Sequence, residues 1–309
     1  MVSTEELLVS VEGECGFADL SEERQAYWEA QIRCTNIPSL FTGHSRGLEN
    51  LESLSQADLQ QRISRDPLLS SKLLSVANST RMGKVNPVRS VQKAISQLGL
   101  DLVLAIVLTY EMENDLQDGY PVSREVLHHI RNLASLSFAI AGIYARELRL
   151  PDGEAFCHAA MLSCVGSLLL AHTPKFDEAT YLSFADEFQR LQYERSTWGV
   201  CVPTITQRMM EIWGLHEPVP LMVGSRHLPL LGPLPEGFSP MEAKQVCLLA
   251  AINALAHAYM AKQTITPEIL LDRRNYLALK RNLLDHGMYV PVGRYWGQRS
   301  TETILRAAY

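Results

Sequence analysis

Within HAAMLSCVGSLLLAH, residues 158–172, a small polar pair, Ser163 and Cys164, interrupts an otherwise apolar run. Such a pair suits three readings: ordinary packing, a reactive thiol, or the remnant of a site that once held something else. A thiol reacts only as the thiolate, which apolar surroundings disfavour. A cysteine on an apolar helix ordinarily behaves as a small core residue. Cys157 lies seven residues earlier on a similar face, which fits packing better than metal ligation. His128 and His129 are metal-donor types, but neighbours on a helix point about 100° apart and do not readily share one ion. They read as surface or capping residues. Tyr193, Trp198 and Trp213 could line a pocket, although aromatics of this size usually fill cores. Arg273, Arg274, Lys280 and Arg281 could touch phosphate, and read more simply as the solvated face of a late helix.

The elements that must position these residues are helical. DPLLSSKLLSVANS opens with Asp66 as an N-cap and Pro67 at the first helical position. Its Leu69, Leu73, Val76 and Ala77 repeat at helical spacing. A long, mostly apolar helix spans 122–150, and its Ala134, Ala139, Ala141, Gly142 and Ala145 would admit a close neighbour. The run 155–172 continues as a buried helix. Ser239, Pro240 and Glu242 have capping-box spacing ahead of a second apolar helix. Thr266 and Pro267 start another, which Gly287 ends. Residues 80–90 read as a loop, and the Pro/Gly-rich 228–240 marks a subdomain boundary. No alternating apolar–polar strand pattern occurs, so the fold class is all-α.

The chain has 309 residues, enough for a sizeable core. A net charge of −6 argues against a chain-wide phosphate-neutralising face, so nucleic acid is not an expected partner. Neither 102–110 nor 246–261 reaches roughly 18 uninterrupted apolar residues, and the second holds Asn253 and His257, so no membrane partner is expected. The N-terminus lacks the features of a secretory signal. Six scattered cysteines without a Cys-x-x-Cys pair suit reduced thiols, and the expected location is cytoplasmic.

Two segments carry a resemblance. The first, 63–99, holds Asp66, Pro67, Asn78 and Ser79, then Ala94, Ile95, Leu98 and Gly99. The second, 193–229, holds Glu194, Gly199 and Trp213 and ends near His227. Together they resemble an HDOD domain, a bacterial signalling module related to HD-type phosphohydrolases and HD-GYP cyclic dinucleotide phosphodiesterases. The resemblance implies an HD-like (phosphodiesterase-like) helical bundle in two subdomains. Residues 36–115 would form the HDOD-specific bundle and 120–260 the HD-like bundle, with a partly helical N-terminal segment over 1–35 and a helical extension over 261–309. Asp66, Pro67, Asn78, Gly99, Glu194, Gly199 and Trp213 would be structural, Asp66 and Glu194 holding helix ends and backbone donors.

HD enzymes hold one or two divalent metals with several His and an adjacent His-Asp pair, and the metals generate the attacking hydroxide. Under the resemblance that pair falls on Ser163 and Cys164, with Val165 and Gly166 kept and Ser167 in place of a following Lys. Other ligand positions fall near Arg131 or Leu133, on Val202, and on Arg226-His227. One imidazole among Ser, Cys, Val and Arg is no cation cage. The resemblance therefore implies no metal, no cofactor, no catalytic residue, and a vestigial pocket at Ser163, Cys164, Val202, Arg226, His227 and Arg131. Arg226 near Cys164 could lower the thiol pKa. The expected function is a non-catalytic signalling module that binds a protein partner, or a small ligand or nucleotide. Two alternatives stand beside it. One is a residual metal-dependent phosphodiesterase acting on a nucleotide or cyclic dinucleotide. The other is a nucleotide receptor without turnover that uses Arg226 and Arg131.

Overall fold

The computed structural model describes residues 17, 20–34, 59–60, 63–64, 67–77, 88, 90–99, 103, 106–107, 123–184, 186–212, 217–261 and 266–296. Among them every regular element is helical. The chain divides into two compact units, one of Met1–Ile32, Val122–Glu211 and Leu215–Tyr309, the other of Arg33–Pro121 and Ile212–Gly214.

In the smaller unit, α2 (Pro67–Ala77) packs on α3 (Val91–Leu98). Leu69, Leu73 and Ala77 are buried on one side of α2, and Ala94, Ile95 and Leu98 on α3. This is the period expected of half-buried helices. Gln97 donates to the last carbonyl of α2, Ala77 O, at 2.8 Å. Ser90 caps α3 through the Lys93 N–H, and Gly99 closes it at φ 78°, a conformation costly for other residues. Asp66, Asn78 and Ser79 lie outside the described residues, as do 80–87.

The larger unit begins with α1 (Glu22–Cys34) and is built around α4 (Arg124–Glu147) and α12 (Pro240–Met260). Ser123 caps α4, and α5 (Gly153–Leu162) packs closely along it. A Cβ on Gly153 would lie 3.4 Å from the Ala145 methyl, so small residues do set that spacing. Ser239 and Glu242 form a reciprocal capping box on α12. From Val246 to Ala258 this helix is buried on every side, as the centre of a bundle must be. No described helix is long and apolar enough to cross a membrane.

Two sequence expectations fail here. The run 155–172 is not one helix. It breaks at Ser163–Val165 between α5 and α6 (Gly166–Ala171). Ser163 Oγ turns back onto Ala159 O at 2.7 Å, and three-residue hydrogen bonds from Val165, Ser167 and Leu168 tighten the chain. The break brings Gly166 against α9 (Val202–Ile212), where its N–H donates to Thr206 Oγ1 at 3.0 Å. The segment 266–287 is likewise three pieces: α13 (Pro267–Leu271), a 3₁₀ turn (Arg274–Tyr276) and α14 (Leu277–Asp285). Extended Arg273 stops the first helix, and the Tyr276 ring turns into the core. Pro/Gly-rich 228–240 contains a short helix, α11 (Leu228–Leu231). The last described helix is α15 (Tyr289–Trp296).

Candidate functional site

The site is organised by α8 (Glu187–Trp198), which follows α7 (Glu178–Ser183). Its capping residue Asp186 accepts from the N–H groups of Phe188 and Gln189, at 2.9 and 3.2 Å. Asn275 Nδ2 holds the other Asp186 oxygen at 3.0 Å. At the far end Gly199, at φ 69°, is the one residue type that leaves room for Arg24, whose guanidinium lies over it and donates to Trp198 O at 2.8 Å. Glu187, Arg190 and Glu194 stand three and four residues apart on one stripe. That charged stripe faces inward: all three side chains are at most 1 % exposed.

Ionised groups buried this deeply must be paired and hydrogen-bonded. Glu187 meets three partners: Arg226 Nη1 on Oε1, and Arg190 Nη2 and His257 Nε2 on Oε2, at 3.2 and 2.8 Å for the latter two. Its own N–H donates to the Tyr276 hydroxyl at 3.1 Å. Arg190 also reaches Glu194 Oε1 at 3.5 Å and donates to the Tyr181 hydroxyl at 3.3 Å. Tyr181 in turn donates to Ser167 Oγ at 2.6 Å. Arg226 Nη2 donates to Ser163 O at 3.2 Å. Glu194 Oε2 accepts the Val202 N–H at 2.8 Å, closing the first turn of α9. Two guanidinium groups thus face two carboxylates, and the imidazoles of His257 and His129 stand beside them with ring centres 6.3 Å apart.

The titrations follow from this geometry. Burial alone would raise the Glu187 carboxyl, but Arg190, Arg226 and His257 outweigh it and hold it well below its usual range. Burial raises Glu194, and Arg190 and the Val202 N–H offset only part of that. Burial, then Arg190, lowers His257, which favours the neutral imidazole 2.8 Å from Glu187 Oε2. Burial, then His257, pushes His129 down to about 3. Burial pushes the Cys164 thiol up to about 11 despite Arg190 and Arg226 nearby. That burial disfavours a thiolate at Cys164, whose Sγ lies 3.5 Å from Ile130 O.

The fold thus brings Ser163, Cys164, Val202, Arg226 and Glu194 around one buried network. His227 is buried in the turn between α10 (Val219–Ser225) and α11. Arg131 lies on α4 with its side chain outside the described residues, as is that of Pro67 on α2; Trp213 is outside them altogether. Trp198 and Tyr193 pack edge to face at 5.5 Å, and Trp198 Nε1 donates to Thr173 Oγ1 at 2.7 Å. Sequence reasoning missed Glu187, Arg190, Tyr181, His257 and Tyr276. The inward stripe of α8 was the available signal. It read both His128 and His129 as surface or capping residues: His128 is exposed, while His129 is half-buried with its ring 6.3 Å from that of His257.

The resemblance to HD-type enzymes raises the question of whether these residues suit a divalent cation. They do not. Both oxygens of Glu187 are taken by cationic or imidazole donors, and the two guanidinium groups would repel a dication at the same place. Among the described residues no three His, Cys, Asp or Glu side chains converge in a metal-holding group.

The family model of the HDOD domain matches residues 35–229. No curated protein matches the chain. A solved HDOD domain protein of unknown function from Geobacter sulfurreducens is similar at 17 % identity and TM-score 0.50, covering 91 % of this chain and 97 % of its own. Two Shewanella amazonensis structures are similar at 15 % identity and TM-score 0.55. One bears the proposed name of metal-dependent phosphohydrolase, covering 94 % of this chain and all of its own. The other bears that of phosphohydrolase, covering 92 % and 98 %. At these identities the likeness carries the fold alone.

Proposed function

Since the chain belongs to the HDOD domain family, we propose that it is a regulatory signalling module that acts by binding a protein partner and has no hydrolytic turnover. One observation carries this reading. Where the resemblance lays the metal-binding His-Asp pair, the backbone of Ser163 is held by Arg226, which is itself neutralised by Glu187. Metal-assisted hydrolysis needs a cation with an open coordination position and a water of lowered pKa. A closed guanidinium–carboxylate network offers neither. The same network argues against a nucleotide receptor built on Arg226, because both its Nη atoms are already engaged. The HD-like bundle we assign to 120–260 draws Tyr276 of the following segment into its centre, so the helices after 260 belong to its working body. A cytoplasmic location fits the reduced cysteines.

The test is turnover. Purified full-length protein, incubated with Mn²⁺ or Fe²⁺, is expected to leave nucleotides, cyclic dinucleotides and a chromogenic phosphodiester intact. Turnover above a heat-denatured control that disappears with chelator would sink the proposal.

A further inference from the structure

Six large apolar side chains are exposed among the described residues, and four of them, Ile269, Leu277, Leu284 and Val290, fall within the short helices α13–α15. That concentration lies beyond the residues matched by the family model. On α14, Leu277 and Leu284 are a heptad apart, with Arg281 between them, so the three share one stripe. Leu277 is 51 % and Leu284 54 % exposed, while the Arg281 side chain is 81 % exposed and only 4.0 Å from Asp285, a pair too open to neutralise it strongly. Lys280 is drawn toward Asp272 and lies 5.4 Å from the centre of the Tyr289 ring, next to exposed Val290. Residues 272–285 hold four basic side chains against two acidic ones, in a chain whose net charge is −6.

A stripe that is apolar at two heptad-spaced points and basic between and beside them has a definite complement. We propose that this face of α14 docks an acidic amphipathic helix of a partner protein. Two apolar side chains of that helix, about 10.5 Å apart along its axis, would seat against Leu277 and Leu284. Its flanking carboxylates would meet Arg281, Lys280 and Arg274. A second copy of this chain is a poor occupant, because a two-fold contact would set the basic face against itself. The inference rests on the protein-binding reading above and assigns its surface.

The test uses full-length protein and a fluorescent two-heptad peptide with Leu at heptad spacing and Glu at the flanking positions. A control peptide carries Lys for each Glu. Anisotropy titrations are expected to show the Glu peptide binding about tenfold or more tightly than the Lys peptide, the preference shrinking as salt shortens the Debye length. Arg274→Glu/Arg281→Glu should reverse the preference, and Leu277→Ser/Leu284→Ser should weaken both peptides, with thermal melts unchanged because all four side chains are exposed. Equal affinity for the two peptides, or variants without effect, would overturn the assignment. So would self-association in sedimentation that the Leu pair variant dissolves, binding to anionic phosphatidylglycerol vesicles in place of the peptide, or Glu-peptide binding that appears only after deletion of acidic residues 1–16. A failed peptide test with no phosphodiester turnover removes this surface alone; turnover removes the reading beneath it.

Discussion

Replacing Arg226 by Met keeps length and apolar bulk while removing the charge that neutralises Glu187 and the donor that satisfies Ser163 O. Both residues of the pair are 0 % exposed, so solvent does not take over either role. Breaking one side of a buried ion pair costs about 3–5 kcal/mol, because the remaining charge is left uncompensated. Arg190 and His257 still hold Glu187, which places the expected loss near the lower figure, about 3 kcal/mol. For a unit of this size that is a fall in melting temperature of roughly 6–12 °C. Thermal unfolding followed by circular dichroism reads it directly, with Arg281→Met, at an exposed site, expected within about 0.5 kcal/mol of the parent. Glu187→Gln should also destabilise, and the double variant should lose less than the two single losses added, since they share one interaction. An Arg226→Met melt that matches Arg281→Met, or strict additivity in the cycle, would refute the claim that this network holds the bundle together.

The network also sets a pH dependence. His257 and His129 titrate below their unfolded value of 6.5, so the unfolded chain binds protons first and stability should fall as pH drops below about 6.5. Below about 4.5 the depressed Glu187 adds a further loss, whereas the raised Glu194 works the opposite way as pH falls toward 4.5 from above; His129→Gln should flatten the upper part of a melting-temperature profile, and an unchanged slope would count against it. Gly166→Ala would set a methyl 2.6 Å from Thr206 Oγ1 and 2.9 Å from Val202 O, so a loss of about 1–3 kcal/mol in chemical denaturation is expected, and a neutral result would place α6 and α9 farther apart. In native protein Cys164 should resist iodoacetamide at pH 8 and label only on unfolding, as read by peptide mass spectrometry, because it is buried and its thiol is pushed up to about 11; prompt native labelling would contradict that burial.

Much of the architecture was legible in the residues. Ser239 and Glu242 mark the start of α12, and the Leu69, Leu73 and Ala77 repeat marks the buried side of α2, because caps and periodicity are local physics. The break at Ser163–Val165 was not legible, since it goes with a contact distant in sequence, Gly166 against Thr206. Within the site, the resemblance pointed to Ser163 and Cys164, which do border the buried network. The rest of the network was not legible, because Glu187, Arg226, His257 and Tyr276 come from four separate elements that only the tertiary fold brings together. Even so, Glu187, Arg190 and Glu194 share one helical stripe, and a charged stripe on a helix lined elsewhere by Leu191 and Trp198 is a sign of inward-facing ions.

The most direct measurement is the metal content of full-length protein after loading with excess Mn²⁺ and desalting, read by elemental mass spectrometry. The account predicts far less than one ion per chain, unchanged between the parent and Glu187→Gln. One or two ions per chain, lost in Glu187→Gln or His257→Ala, would contradict it, because the carboxylate held here by two guanidinium groups would then be serving a cation.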